Sequence, residues 1–218
     1  MRPAAVVFDN DGLTLDTEQV WTRAEVTLFA RYGRVFDDDH KRELLGTARD
    51  VAAGVLERHL AQPGRGLELM DELHALVMAE LDRGADPMPG AAELVGALRA
   101  AGIPVGLASN SSREFVDKAL RLAGLRDAFD VTVAGDEVPN PKPAPDGYLA
   151  AAAALGADPA ACVALEDSAT GVAAARAAGM TVVGVPSFPG VVLEAADLVI
   201  GSLRDPAILA LLGLSAAA

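Results

Sequence analysis

GAAELVGALRAAGIPVGLASNSSREFVDKALRLAGLRDAFDVTVA, residues 90–134, decides the fold. Within it a helical stretch, Gly90–Ala101, ends at Gly102 and runs into the apolar Ile103–Ala108. Arg113–Ala123 then ends at Gly124 and leads to Phe129–Ala134. Glycine just past a helix takes the left-handed conformation without steric cost, so each one marks a helix end. The apolar runs are short and do not alternate, as strands buried on both faces require. The same unit recurs downstream as Asp146–Leu155, Gly156, Ala161–Leu165 and as Ala169–Ala178, Gly179, Thr181–Val185. Helix and strand alternating at this spacing predict crossover units and a parallel sheet covered on both sides. Ala5–Phe8 and Leu198–Ile200 add a strand at each end.

Upstream of this stretch the pattern changes. Between 17 and 86 there are amphipathic helical segments and no comparable strand. Thr17–Tyr32 ends at Gly33, and Leu67–Arg83 sets Leu69, Met70, Leu73, Leu76, Val77 and Leu81 on one side. Gly12 and Pro87-Met88-Pro89-Gly90 punctuate the two flanks. The expected class is therefore α/β, with a Rossmann-like parallel-sheet core formed by 1–16 and 87–218 and an all-helical insert at 17–86. His40, His59 and His74 all fall in the insert at spacings that match no metal motif, and are read as structural.

Bulk composition narrows the partners. The chain has 218 residues, 51% hydrophobic and 22% charged, the balance of a globular protein. Its net charge of −13 repels nucleic acid and anionic membranes, so neither is expected as a partner. An anionic ligand would need a local cation or a metal. Cys162, the one cysteine, lies in an apolar run and is expected buried and unpaired, which fits a cytoplasmic setting. Asp9 and Asp11 interrupt the first apolar run well short of a secretory leader, and no segment of about 18 apolar residues exists to span a membrane.

In an open parallel sheet, ligands bind beyond the carboxyl ends of the strands. The first strand is followed by Asp9-Asn10-Asp11-Gly12, the second by Ser109-Asn110-Ser111-Ser112. Lys142, held between prolines, comes after the third, and Glu166-Asp167-Ser168 after the fourth. Each has a plainer reading: a turn, a helix cap, a solvated lysine, a helix start. Their joint placement at successive strand ends instead suits phosphoryl transfer. The carboxylates form a hard-oxygen site for Mg²⁺. Ser109, just before a helix opened by the capping box Ser111-x-x-Glu114, and Lys142 would grip phosphate oxygens.

FDNDGLTLDTE, GLASNSS, NPKPAPDGY and ALEDSATG together resemble the four ordered motifs of the haloacid dehalogenase superfamily, over nearly the whole chain. Within it the chain is similar to the β-phosphoglucomutase and sugar-phosphate phosphatase branch, which carries a helical cap between the first two motifs. The resemblance implies Asp9 as nucleophile and Asp11 as general acid and base. It implies Mg²⁺ held by the Asp9 side chain, the Asp11 backbone carbonyl and Asp167, with Glu166 at or next to the metal shell. Ser109, Asn110 and Lys142 would bind the phosphate of a small-molecule phosphate ester. Gly46 and Arg49 resemble the cap loop that meets the sugar; Arg49 on an exposed helix start is the plainer alternative. Trp21 stands where a mutase of this branch would have histidine, which favours phosphatases of 2-deoxyglucose 6-phosphate and hexitol phosphates over a phosphosugar mutase. A catalytically silent phospho-ligand module remains the reading from another class. A monomer is expected.

Overall fold

The computed structural model describes residues 2–45, 47–187 and 190–214. Its strands are β1 (Ala5–Phe8), β2 (Val105–Ala108), β3 (Val131–Val133), β4 (Cys162–Glu166), β5 (Thr181–Gly184) and β6 (Leu198–Val199). They form one 6-stranded sheet in the order β3-β2-β1-β4-β5-β6, every pair parallel. β1 is central: Phe8 pairs with Leu107 on one side and Leu165 on the other, and all four of its residues are buried. The expected strands are all present; β2, β3 and β4 start later than expected, and β3, β5 and β6 each end one residue earlier. Ile103 and Pro104 precede β2 rather than opening it, and Phe129 lies edge-on to the Phe8 ring at 5.8 Å just ahead of β3.

The helices are α1 (Glu18–Arg31), α2 (Asp38–Leu44), α3 (Arg49–Leu60), α4 (Gly66–Leu81), α5 (Ala91–Ala100), α6 (Arg113–Leu122), α7 (Asp146–Ala154), α8 (Ala169–Ala177) and α9 (Pro206–Leu212). By its contacts the chain divides into Met1–Asp16 with Asp86–Ala218, and Thr17–Ala85. In the first unit α7 packs on β1, β2 and β3, and α8 on β4 and β5. Alanines 151, 152, 174 and 175 let these helices approach closely, around a core of Val7, Cys162, Ala164, Val172 and Tyr148. Cys162 is buried and free, as its apolar surroundings predict.

Among its described residues the second unit holds helices α1 to α4 and no strand. α4 packs against α1 and α3, burying Leu69, Met70, Leu73, Val77 and Leu81; Leu76 stays partly exposed. Lys41 is buried with its ammonium between Glu18 (2.8 Å) and Glu25 (3.1 Å). The His40 ring packs edge-on against Phe29 at 4.9 Å and His59 at 4.5 Å, a packing role for both.

Candidate active site

The loop after β1 is built by its own backbone. Asn10 carbonyl accepts from Thr14 and Leu15, Gly12 N–H reaches Leu15, and the Thr14 hydroxyl donates to the Asp9 carbonyl at 2.5 Å. Gly12 sits at φ 80°, which suits glycine, and a Cβ there would strike the Asp167 carboxylate and Ser187. Asp9 N–H is tied to Leu165 O at 3.0 Å, so the nucleophile candidate continues the β1–β4 ladder. The Asn10 side chain is fully buried and finds no protein hydrogen-bond partner among the described residues.

Lys142 comes to this loop from beyond β3. Its ammonium contacts Asp9 Oδ1 and lies 2.6 Å from Glu166 Oε1, all three groups buried. Asn110 fixes the lysine's backbone: its Oδ1 accepts from Lys142 N–H at 2.8 Å and its Nδ2 donates to Lys142 O at 3.2 Å. The amide expected at the phosphate thus engages the neighbouring loop. Burial pushes the Asp9 carboxyl up to about 8, with Lys142 opposing and Glu166 and Asp11 reinforcing the rise. Burial works against the Lys142 charge, but Asp9 and Glu166 outweigh it and hold the ammonium above its usual range.

Asp11 faces β2. Its Oδ2 accepts from Ser109 Oγ at 3.0 Å and Ser111 Oγ at 2.8 Å, and Ser109 Oγ accepts the Ser111 N–H. This corrects the expected cap of α6. Ser111 turns its hydroxyl to Asp11, and the N-cap is Ser112, which accepts from Phe115 N–H.

Glu166 is saturated. Oε1 takes Lys142 and the Tyr148 hydroxyl (2.7 Å); Oε2 takes Asp167 N–H, Ser168 N–H and Ser168 Oγ. A Cβ at Gly171 would fall on this carboxylate, so the start of α8 is shaped around it. Ser168 also caps α8 through Gly171 N–H, so the helix-start reading of this motif and the chemical one are both met. Asp167 Oδ2 accepts from Ser187 Oγ at 2.5 Å.

One carboxylate oxygen from each of Asp9, Glu166 and Asp167 lies within 4.8 Å of the others. The three carboxylates are buried, Lys142 contacts two of them, and the donors are hard oxygens, so the cluster suits a divalent metal ion. The glycine at 12 leaves the Asp167 oxygen uncrowded on that side. Asp9, Asp11, Ser109, Asn110, Lys142, Glu166 and Asp167 are therefore brought together. Arg49 opens α3 in the helical unit and pairs with Asp71 at 2.5 Å on the surface. Gly46 lies outside the described residues. Sequence reasoning gave Ser111 the role of a helix cap rather than of a partner to Asp11, and gave Tyr148 and Ser187 no role. Tyr148 left a trace as an aromatic hydroxyl inside the alanine-rich α7.

Residues 3–179 match the family model described as haloacid dehalogenase-like hydrolase. Hexitol phosphatase B of Escherichia coli (strain K12) is 36% identical over 189 residues, 84% of this chain and 83% of that protein. The bifunctional riboflavin kinase/FMN phosphatase of Arabidopsis thaliana is 36% identical over 205 residues, 93% of this chain. The match spans 54% of that longer protein, about half its length. Among solved structures, CbbY from Rhodobacter sphaeroides in complex with phosphate superposes with a TM-score of 0.80 at 31% identity. It covers 93% of this chain and 96% of that one. No helix among the described residues is long and apolar enough to cross a membrane.

Proposed function

The chain belongs to the haloacid dehalogenase-like hydrolases and is a phosphatase of that type, and on this premise we propose that it hydrolyses small phosphorylated sugars or polyols through a phosphoaspartyl intermediate on Asp9. The observation that carries this reading is the pairing of a buried carboxylate with a buried lysine, two residues ahead of a second aspartate held by two serine hydroxyls.

In the first step an Asp9 oxygen attacks phosphorus and the bond to the leaving oxygen breaks, with Asp11 delivering the proton that oxygen needs. In the second, Asp11 takes a proton from water, which attacks the aspartyl phosphate and releases inorganic phosphate with Asp9 restored. Lys142 offers its charge, and Ser109 its hydroxyl, to the phosphate oxygens; Asn110 aims the lysine by gripping its backbone. Mg²⁺ would be held by the Asp9 side chain, the Asp11 backbone carbonyl and Asp167, with Glu166 beside that shell, and would supply positive charge that offsets repulsion between a phosphate and a carboxylate nucleophile. Likeness to hexitol phosphatase B, together with Trp21, supports a sugar or polyol phosphate as substrate.

The test is rapid quench with labelled substrate in the presence of Mg²⁺. Wild type should show an acid-stable phosphoenzyme, lost after EDTA treatment and in Asp9→Asn, whose turnover falls by several orders of magnitude. Label on the Asp9→Asn protein, or full activity in EDTA, would remove the assignment. Conversion of β-glucose 1-phosphate with a bisphosphate activator would favour the mutase instead.

A further inference from the structure

Helix α7 reads DGYLAAAAA, and its buried residues are Tyr148, Ala151 and Ala152. Packing against the sheet asks for nothing polar there, and phenylalanine would fill the same space. A hydroxyl with no exposure to water is costly to bury unless it is paired. Here it is paired toward the site: Tyr148 OH donates to Glu166 Oε1 at 2.7 Å. The Lys142 ammonium donates to that same oxygen at 2.6 Å, stands 3.4 Å from the Tyr148 oxygen and 4.9 Å from its ring centroid. Lysine, tyrosine and glutamate therefore close a triangle in which ammonium donates to hydroxyl and carboxylate, and hydroxyl donates to carboxylate. Such chains of donors polarise one another and hold their members in one geometry.

We propose that Tyr148 is a positioning residue of the phosphate site, sharing Glu166 Oε1 with Lys142 so that the ammonium stays poised on Asp9. This rests on the phosphatase reading above. With the hydroxyl gone, Oε1 has the ammonium as its one side-chain donor, and lysine and glutamate close into a plain ion pair. Lys142 is then drawn from Asp9 and from any phosphate oxygen it would hold. The tyrosine ring, lying beside the ammonium, limits where it can move.

The variant is Tyr148→Phe, which keeps ring and volume. Binding of inorganic phosphate to the Mg²⁺-loaded protein is read by calorimetry, turnover of p-nitrophenyl phosphate in parallel, and fold by thermal unfolding. Phosphate affinity should weaken by about 10–100-fold, the usual loss when an outer partner of a site is removed. KM should rise more than kcat falls, and unfolding should stay near wild type. Unchanged phosphate affinity, or a drop in melting temperature with affinity intact, overturns the proposal. The chain has 2 tyrosines, Tyr32 and Tyr148, so 3-fluorotyrosine labelling gives a second measurement that needs no Tyr148 variant. Tyr32→Phe assigns the signals, and phosphate should shift the Tyr148 fluorine resonance while leaving that of Tyr32 in place; a still Tyr148 signal counts against the role. If wild type binds no phosphate at all, the phosphatase reading fails and takes this proposal with it. Loss confined to the variant separates the two.

Discussion

The carboxyl of Asp9 sits where water barely reaches, and burial pushes it up to about 8 even with Lys142 in contact. Between its ordinary 3.8 and about 8 the folded chain keeps a proton that the unfolded chain has lost. Stability present at low pH is therefore lost as pH rises across that window. Burial raises Glu25 of the helical unit in the same sense, so Asp9→Asn is the comparison that isolates the site. The metal-free wild type should melt lower at pH 8 than at pH 5. Asp9→Asn should show a shallower slope and, at pH 8, a Tm higher by at least about 2–4 °C, the effect of 1 kcal/mol in a chain of this size. Identical slopes for the two proteins in EDTA would show that Asp9 carries no such strain. At this scale the strand ends were legible, and with them the loops that carry Asp9, Asp11 and Lys142. Tyr148 and Ser187 act through Glu166 and Asp167, partners 18 and 20 residues away. No spacing rule says which hydroxyl will meet which carboxylate across strand ends.

Helices α7 and α8 show how an element can be shaped by a single side chain. α8 begins beside the Glu166 carboxylate, and a methyl group on Gly171 would overlap it. Because Glu166 is fully buried and accepts five hydrogen bonds, it has nowhere to retreat. Gly171→Ala, a favourable change in an ordinary helix, should here destabilise by about 3 kcal/mol or more, in the range reserved for broken buried networks. Urea unfolding reads this directly, and a variant as stable as wild type would mean that Glu166 can move. The strands and the long helices were visible beforehand because burial on two faces and on one face leaves different periodicities. The α6 cap was not: Ser111 and Ser112 are equally good caps, and Asp11, 100 residues away in sequence, decides between them.

For the whole molecule, the division into a sheet unit and a helical unit was readable from the absence of strands in 17–86. The role of the helical unit is a matter for kinetics. Arg49 there spends its charge on Asp71 at the surface, an exposed pair of the kind that adds little stability. If the resemblance that assigns Arg49 to the sugar is right, Arg49→Ala leaves the melting temperature nearly unchanged. It should then lower kcat/KM for a hexitol phosphate by about ten- to a thousand-fold, as loss of one charged contact does. Hydrolysis of p-nitrophenyl phosphate, with no sugar hydroxyls, should change much less. Equal losses on both substrates, or none on either, would return Arg49 to the surface.

The central place of β1 has a consequence in time. Its neighbours, β2 and β4, lie far downstream, and Phe8 finds its second partner at Leu165. At about 5–20 residues per second on the ribosome, roughly 8–30 s pass between the two being made. For that interval the nascent chain carries a wholly apolar AVVF segment that lacks at least one of its two neighbouring strands, joined to two acidic residues. Asp9 is thus synthesised well before the strand that completes its setting. The strand that bears it is where a nascent-chain chaperone has most to shield.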